Sequence, residues 1–125
     1  MTPNDRKYTK DHEWILISDR TAMIGITDHA QDALGDIVFV ELPQIGDTVS
    51  AGVSFAVVES VKAASEIFTE VSGRVVTVNE ALNDSPELIN TDPYGTYIAE
   101  LEFSKINEGA LMSAEEYDAF VAQEG

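Results

Sequence analysis

Phe55-Ala-Val-Val-Glu-Ser-Val-Lys-Ala-Ala-Ser-Glu-Ile-Phe68 is the stretch on which the reading of this chain turns. Two apolar, β-prone runs flank a short segment of small side chains, the pattern of a hairpin. Phe55 to Glu59 reads as one strand, Ser65 to Val71 as its return, and Lys62 falls near the turn. Lys62 is the only lysine between Lys10 and Lys105, in a chain crowded with carboxylates. The arrangement presents one primary amine at a hairpin tip, where another enzyme could acylate it.

Working outward, Ser72-Gly73 reads as a turn into a strand from Arg74 to Asn79. Upstream, His12 to Ser18 and Thr21 to Thr27 read as strands joined at Asp19-Arg20, with Ala22, Ile24 and Ile26 on one face by the period-two rule. Asp28 is read as a helix N-cap with Gln31 as its capping-box partner, and Gly35 as the C-terminal cap. Asp36 to Leu42 is apolar on both faces, as a strand inside a sandwich would be. Gly46, Gly52 and Gly73 have no phosphate-cradling spacing and read as turn glycines. Ser85-Pro86 starts a helical turn through Ile89. Thr96 to Phe103 sets Tyr97, Ala99, Leu101 and Phe103 on one strand face. Ser113-Ala-Glu-Glu116 is a capping box opening a last helix, with Tyr117, Phe120 and Val121 spaced to pack on the sheet. Many short strands with two or three minor helices predict a β-sandwich or barrel variant.

The 125 residues fit one domain, residues 1–125, with no linker or low-complexity run. With no cysteine, there is no disulfide framework, thiolate metal site or cysteine nucleophile. The formal charge of −16 repels phosphate backbones and anionic lipid, so neither nucleic acid nor membrane is an expected partner. It favours steering toward basic patches on proteins, or is simply a solvated acidic surface. No apolar stretch approaches membrane-spanning length and the polar start has no signal region. The expected compartment is therefore the bacterial cytoplasm, or the mitochondrial matrix if a transit peptide has been removed.

A lysine serving as a covalent tether needs exposure and reach, which a hairpin tip and a four-carbon stem supply. Val61, Ala63 and Ala64 add little bulk beside it. A Schiff-base lysine would want the opposite, a desolvated pocket. His12 and His29 invite a metal or acid–base reading, but one opens a strand and the other sits in a helix's first turn. With no local cluster to support ligation, structural roles are expected and no metal is assigned. Trp14 is read as core.

Several segments resemble the glycine cleavage system H protein family. They are Tyr8-Thr-Lys-Asp-His-Glu-Trp14, Gly25-Ile-Thr-Asp-His-Ala-Gln31, Leu34-Gly-Asp-Ile-Val-Phe-Val-Glu-Leu-Pro43, Val58-Glu-Ser-Val-Lys-Ala-Ala-Ser65, Val78-Asn-Glu-Ala-Leu82, Ser85-Pro-Glu-Leu-Ile-Asn90 and Asp92-Pro-Tyr-Gly95. They run in family order from about Tyr8 to the final helix. One departure is visible: after Gly95 the family continues with a glycine–tryptophan pair and a lysine-bearing strand. Here Thr96-Tyr-Ile-Ala-Glu-Leu-Glu-Phe103 follows, with Tyr97 in the tryptophan's place.

The resemblance implies a mainly β, lipoyl-domain-like barrel-sandwich hybrid of short antiparallel strands, with a few short helices and a C-terminal helix. It implies that Lys62 carries lipoate in amide linkage within an attachment motif of Glu59, Ser60, Val61 and Ala63. It also implies a non-catalytic carrier, expected as a monomer. The arm would take an aminomethyl group from a pyridoxal-phosphate glycine decarboxylase, pass it to a tetrahydrofolate-dependent aminomethyltransferase, and be reoxidised by a flavin dihydrolipoamide dehydrogenase. Lipoyl-attaching enzymes complete the partners. For docking the loaded arm, the matched segments offer Glu13, Glu66 and Asp11, since carboxylates hold an amine through charge-assisted hydrogen bonds. Glu13 and Glu66 could equally be outward-facing strand positions. Glu59 either helps a lipoyl-attaching enzyme recognise the hairpin or keeps an edge strand soluble.

Two other readings stand beside this one. A lipoyl domain of a 2-oxoacid dehydrogenase complex would usually show Asp-Lys-Ala rather than Val61-Lys62-Ala63, and would continue into linkers rather than close on a capped helix. An H-like protein acting as lipoyl donor to such complexes is a variant of the same idea. A small enzyme using Lys62, Glu59 and Glu66 would require a concave site with perturbed pKa values.

Overall fold

A computed structural model describes residues 2–124. Among these, nine strands form two antiparallel sheets. The strands are β1 (Lys7–Tyr8), β2 (Glu13–Ser18), β3 (Thr21–Ile26), β4 (Ile37–Glu41), β5 (Thr48–Val49), β6 (Ala56–Ser60), β7 (Ala64–Ile67), β8 (Val71–Val78) and β9 (Ala99–Ile106). The larger sheet runs in the order β1-β2-β3-β9-β8-β5, the smaller β4-β6-β7. Helices α1 (Asp28–Leu34), α2 (Ala81–Asp84), α3 (Leu88–Thr91) and α4 (Ala114–Glu124) fill the connections and the C-terminal end.

Alternation explains how the sheets meet. In β3, Ala22, Ile24 and Ile26 are all buried on one face, as period two requires. Ile26 and Ala99 from the larger sheet share one apolar cluster with Ile37, Val40, Val58 and Ile67 from the smaller, closed by Leu82 and Ile89 of the short helices. A second cluster joins Ile15, Ile24, Val75 and Leu101 within the larger sheet. The third, Tyr8, Trp14 and Tyr117, is where α4 packs on β1 and β2. Trp14 is core as expected, its Nε1 donating to the Pro93 carbonyl at 3.0 Å. A Cβ on Gly25 would collide with its indole ring.

The Ser113–Glu116 capping box is formed: the Glu116 N–H donates to Ser113 Oγ at 3.1 Å and the Ser113 N–H to Glu116 Oε1 at 2.8 Å. Gly35 ends α1 with φ +83° and donates to the Gln31 carbonyl.

Several boundaries differ from the sequence reading. The cap of α1 is Thr27, whose Oγ1 accepts from the Ala30 N–H at 3.2 Å; Asp28 lies one residue inside and instead accepts from the Gln31 side chain. Thr27 wins because its hydroxyl is buried against Tyr117, which fixes its rotamer. The β4 strand is not buried on both faces: Val38 and Phe39 are exposed, and the register shifts between Ile37 and Phe39. Ser72-Gly73 is no turn; both lie inside β8, and residues 68–70 carry the chain from β7 in the smaller sheet to β8 in the larger. Gly73 is required by close approach, since a Cβ there would clash with the Glu102 carbonyl oxygen and lie 2.8 Å from Phe103 Cα. The expected turn from Ser85 to Ile89 becomes a helix starting at Leu88, and α2 precedes it. The strand expected over Thr96 to Phe103 begins at Ala99 and runs on to Ile106. Tyr97 stays half-buried before it, its carbonyl held by the Asn79 side chain.

Candidate functional site

β6 and β7 pair with Val58 opposite Ser65 and Glu59 opposite Ala64, leaving Val61-Lys62-Ala63 as the reversal. Ser60 builds that reversal. Its Oγ accepts the N–H groups of Lys62 and Ala63, both at 3.1 Å, and its backbone N–H donates to the Ala63 carbonyl at 2.8 Å. The Val61 N–H donates to the Asp36 carbonyl at 3.1 Å, tying the tip to the segment after α1. Competing local hydrogen bonds of this kind make serine a turn residue.

Lys62 is exposed, and no carboxylate among the described residues pairs with it. Its Nζ donates to the Ala33 carbonyl at 3.3 Å, one of the last-turn carbonyls of α1 that have no partner inside the helix. Gly35 leaves room for the stem: a Cβ there would stand 3.2 Å from Lys62 Cε. Val61 is 68% exposed and lies near the exposed Val38 and Phe39, the latter paired with Glu59 across β4 and β6. Glu59 is half-buried on that inner strand, and Ala63 is exposed at the tip.

Ala33 also lines a cleft of about 510 Å³ whose walls include Asp11, His12, Glu13, Leu34, Glu66 and Phe68. The cleft thus begins at the foot of the lysine-tipped hairpin. Asp11, Glu13 and Glu66 are all brought to it, but they differ in kind. Asp11 and Glu66 are exposed. Glu13 is only 2% exposed, so it is not the outward-facing strand residue that the sequence allowed. Its Oε1 accepts from the Thr9 hydroxyl at 2.8 Å and its Oε2 from the Phe68 N–H at 3.4 Å. Burial is the main cause that lifts its carboxyl to about 7, opposed by the bond from Thr9. A carboxyl at that value can carry a proton or surrender it near neutrality, and a cation entering the cleft would favour the ionised form.

Sequence reasoning left out Thr9 and the Phe68 backbone, the two groups that hold Glu13. The Phe68 contact has no local signal, because it joins residues 55 positions apart, whereas Thr9 lies only four residues before Glu13 and was within reach of a local reading. It also separated His12 from His29, whose rings the fold brings to 4.5 Å between centroids, beside Glu124.

Two small antiparallel sheets sharing a core, with a lysine held out on a two-strand tip, define the lipoyl-domain-like class of β proteins. Residues 6–124 match the family model described as Glycine cleavage H-protein. The chain is 51% identical to the glycine cleavage system H protein of Carboxydothermus hydrogenoformans, over 100% of this chain and 98% of that one. It is 52% identical to that of Cronobacter sakazakii, over 98% and 97%. A crystal structure of a glycine cleavage system H protein from Mycobacterium marinum superposes with a TM-score of 0.90 at 43% identity, covering 96% of this chain and 98% of that one. The chain belongs to the glycine cleavage H-protein family.

Proposed function

We propose that this protein is the lipoylated carrier of a glycine cleavage system, with Lys62 as the attachment site. The observation that carries the reading is the exposed Lys62 amine on a rigid tip that opens directly onto a carboxylate-lined cleft. Acylation would convert the ammonium to an amide, whose remaining N–H could still donate to the Ala33 carbonyl. Lipoate in amide linkage would supply a redox-active dithiolane that accepts and releases an aminomethyl group.

The chain's own residues have positioning roles. Ser60 fixes the turn, Val61 and Ala63 keep the approach to the amine clear, and Glu59 with the exposed Val38 and Phe39 offers a surface for a lipoyl-attaching enzyme. Glu13, Glu66 and Asp11 would hold the amine of a loaded arm, and the apolar walls from Ile26, Leu34 and Phe68 would limit water around it. The carboxylate-rich surface suits partners with basic docking faces: the decarboxylase, the aminomethyltransferase and the dihydrolipoamide dehydrogenase.

The test is intact mass and peptide mapping after incubation with a lipoyl-attaching enzyme and lipoate. One lipoyl group on Lys62, absent from Lys62→Arg, is expected. Modification mapped to another lysine would overturn the assignment.

A further inference from the structure

Away from the lysine, the fold assembles a second set of donor atoms. His12 Nε2 lies 3.1 Å from Glu124 Oε1, His29 Nε2 lies 3.8 Å from the same oxygen, and one ligand atom from each residue falls within 4.8 Å of the others. These residues come from the turn before β2, the first turn of α1 and the last turn of α4, so only the tertiary fold joins them. We infer that His12, His29 and Glu124 form a binding site for a divalent transition cation of the zinc type.

Three observations support this. The first is spacing. A tetrahedral zinc with bonds of about 2.0–2.1 Å holds its ligand atoms roughly 3.3 Å apart. The two separations to the Glu124 oxygen bracket that value, and the widest spread among the three atoms, at most 4.8 Å, would close by rotation of His29 and Glu124, both exposed side chains.

The second is orientation. The Nδ1 of His12 is hydrogen-bonded to the Tyr117 hydroxyl at 2.8 Å, and that hydroxyl also meets Thr27 Oγ1 at 2.7 Å. A fixed partner on one ring nitrogen turns the other toward the metal position, as outer-shell groups do for metal-bound histidines. The His12 backbone is aimed as well: it adopts φ +67°, pinned by its N–H to the Thr9 carbonyl and by its carbonyl to the Thr27 N–H. A non-glycine residue held there needs support from its surroundings, and such outliers gather at working sites.

The third is charge. Two imidazoles in ring contact cannot both be protonated without repulsion, whereas both can serve as neutral ligands. Two imidazoles and one carboxylate leave a fourth position for water, and imidazole selects zinc, copper or nickel over calcium and magnesium. Ligation would clip the last turn of α4 to the rim of the cleft, since His12 lines both.

The inference does not depend on acylation of Lys62. Zinc titrated calorimetrically into the full chain, free of any affinity tag, is expected to fill one saturable site and raise the melting temperature, reversed by a chelator. His29→Ala and Glu124→Gln, both at exposed positions, should weaken binding by about tenfold or more while leaving the metal-free melting temperature unchanged. Tyr117→Phe should weaken it about tenfold, because it frees the His12 ring without removing a ligand. Cobalt should give the visible bands of a four-coordinate site, and excess calcium should not displace it. Absence of a saturable zinc site in the unaltered chain, equal affinity in His29→Ala and Glu124→Gln, or displacement by calcium would overturn the proposal in favour of scattered surface carboxylates.

Discussion

Glu13 and Phe68, 55 positions apart, meet across the cleft through the Phe68 N–H and a carboxylate oxygen at 3.4 Å. Few acidic side chains are this deeply buried without a cation, and burial leaves its carboxyl titrating at about 7. The folded state therefore grips this proton more tightly than the unfolded chain does. Its contribution to stability is complete below the ordinary carboxylate range and is lost as pH rises through 7. A shift of that size is worth at most about 3 kcal/mol. Glu13→Gln, which cannot ionise, should lose less stability than the unaltered chain between about pH 5 and about pH 8. Denaturant midpoints at the two values check this; parallel losses in both proteins would contradict it.

Glu66 reaches the same cleft from an exposed position, and its side chain makes no hydrogen bond among the described residues. Glu66→Ala should leave the unfolding free energy within about 0.5 kcal/mol of the original, as surface substitutions do. It should shorten the lifetime of the aminomethyl-loaded form, followed by loss of the loaded mass over time. An unchanged lifetime removes Glu66 from the docking role.

Lys62→Arg keeps a cation at the tip and should fold normally, since the side chain is exposed and its one contact is with a helix-end carbonyl. In a system reconstituted from decarboxylase, aminomethyltransferase and dihydrolipoamide dehydrogenase, it should support no glycine turnover. Turnover at the original rate would show that the arm hangs elsewhere.

Gly73→Ala should destabilise the chain by about 2 kcal/mol or more, because the new methyl meets backbone of β9 on a paired strand and neither side can move aside cheaply. Chemical denaturation reads this directly. A midpoint equal to that of the original would mean that β8 and β9 separate more easily than their pairing suggests.

What the sequence made legible is what local pattern encodes. The β2–β3 hairpin shows itself in alternation around Asp19-Arg20, and the β6–β7 hairpin in two apolar runs around small residues. The Ser113–Glu116 box shows itself in its spacing. The misreadings have a shared cause. Asp28 and Thr27 are both good caps, and only burial of Thr27 against Tyr117 decides between them. Val38 and Phe39 look like core because they are apolar, yet they face outward beside the lysine-tipped hairpin. Gly73 resembles a turn glycine, while its actual constraint is the backbone of β9, where Phe103, 30 residues later, stands in register with it. The site divides the same way. Lys62 announces itself by isolation, whereas burial of Glu13 and the meeting of His12 with His29 and Glu124 depend on contacts no window of sequence contains.

The Ser60 hydroxyl, by taking both amide protons of the reversal, turns the Lys62 Cα into a fulcrum. Any load fixed to the side chain then sweeps a spherical cap about a point that the sheet keeps still. Its search is a matter of rotamer hops on the picosecond-to-nanosecond scale, with no hinge to wait for. On the proposed function, encounter with a partner would then be limited by how the two bodies dock, and the radius of delivery would be set by the length of the tether.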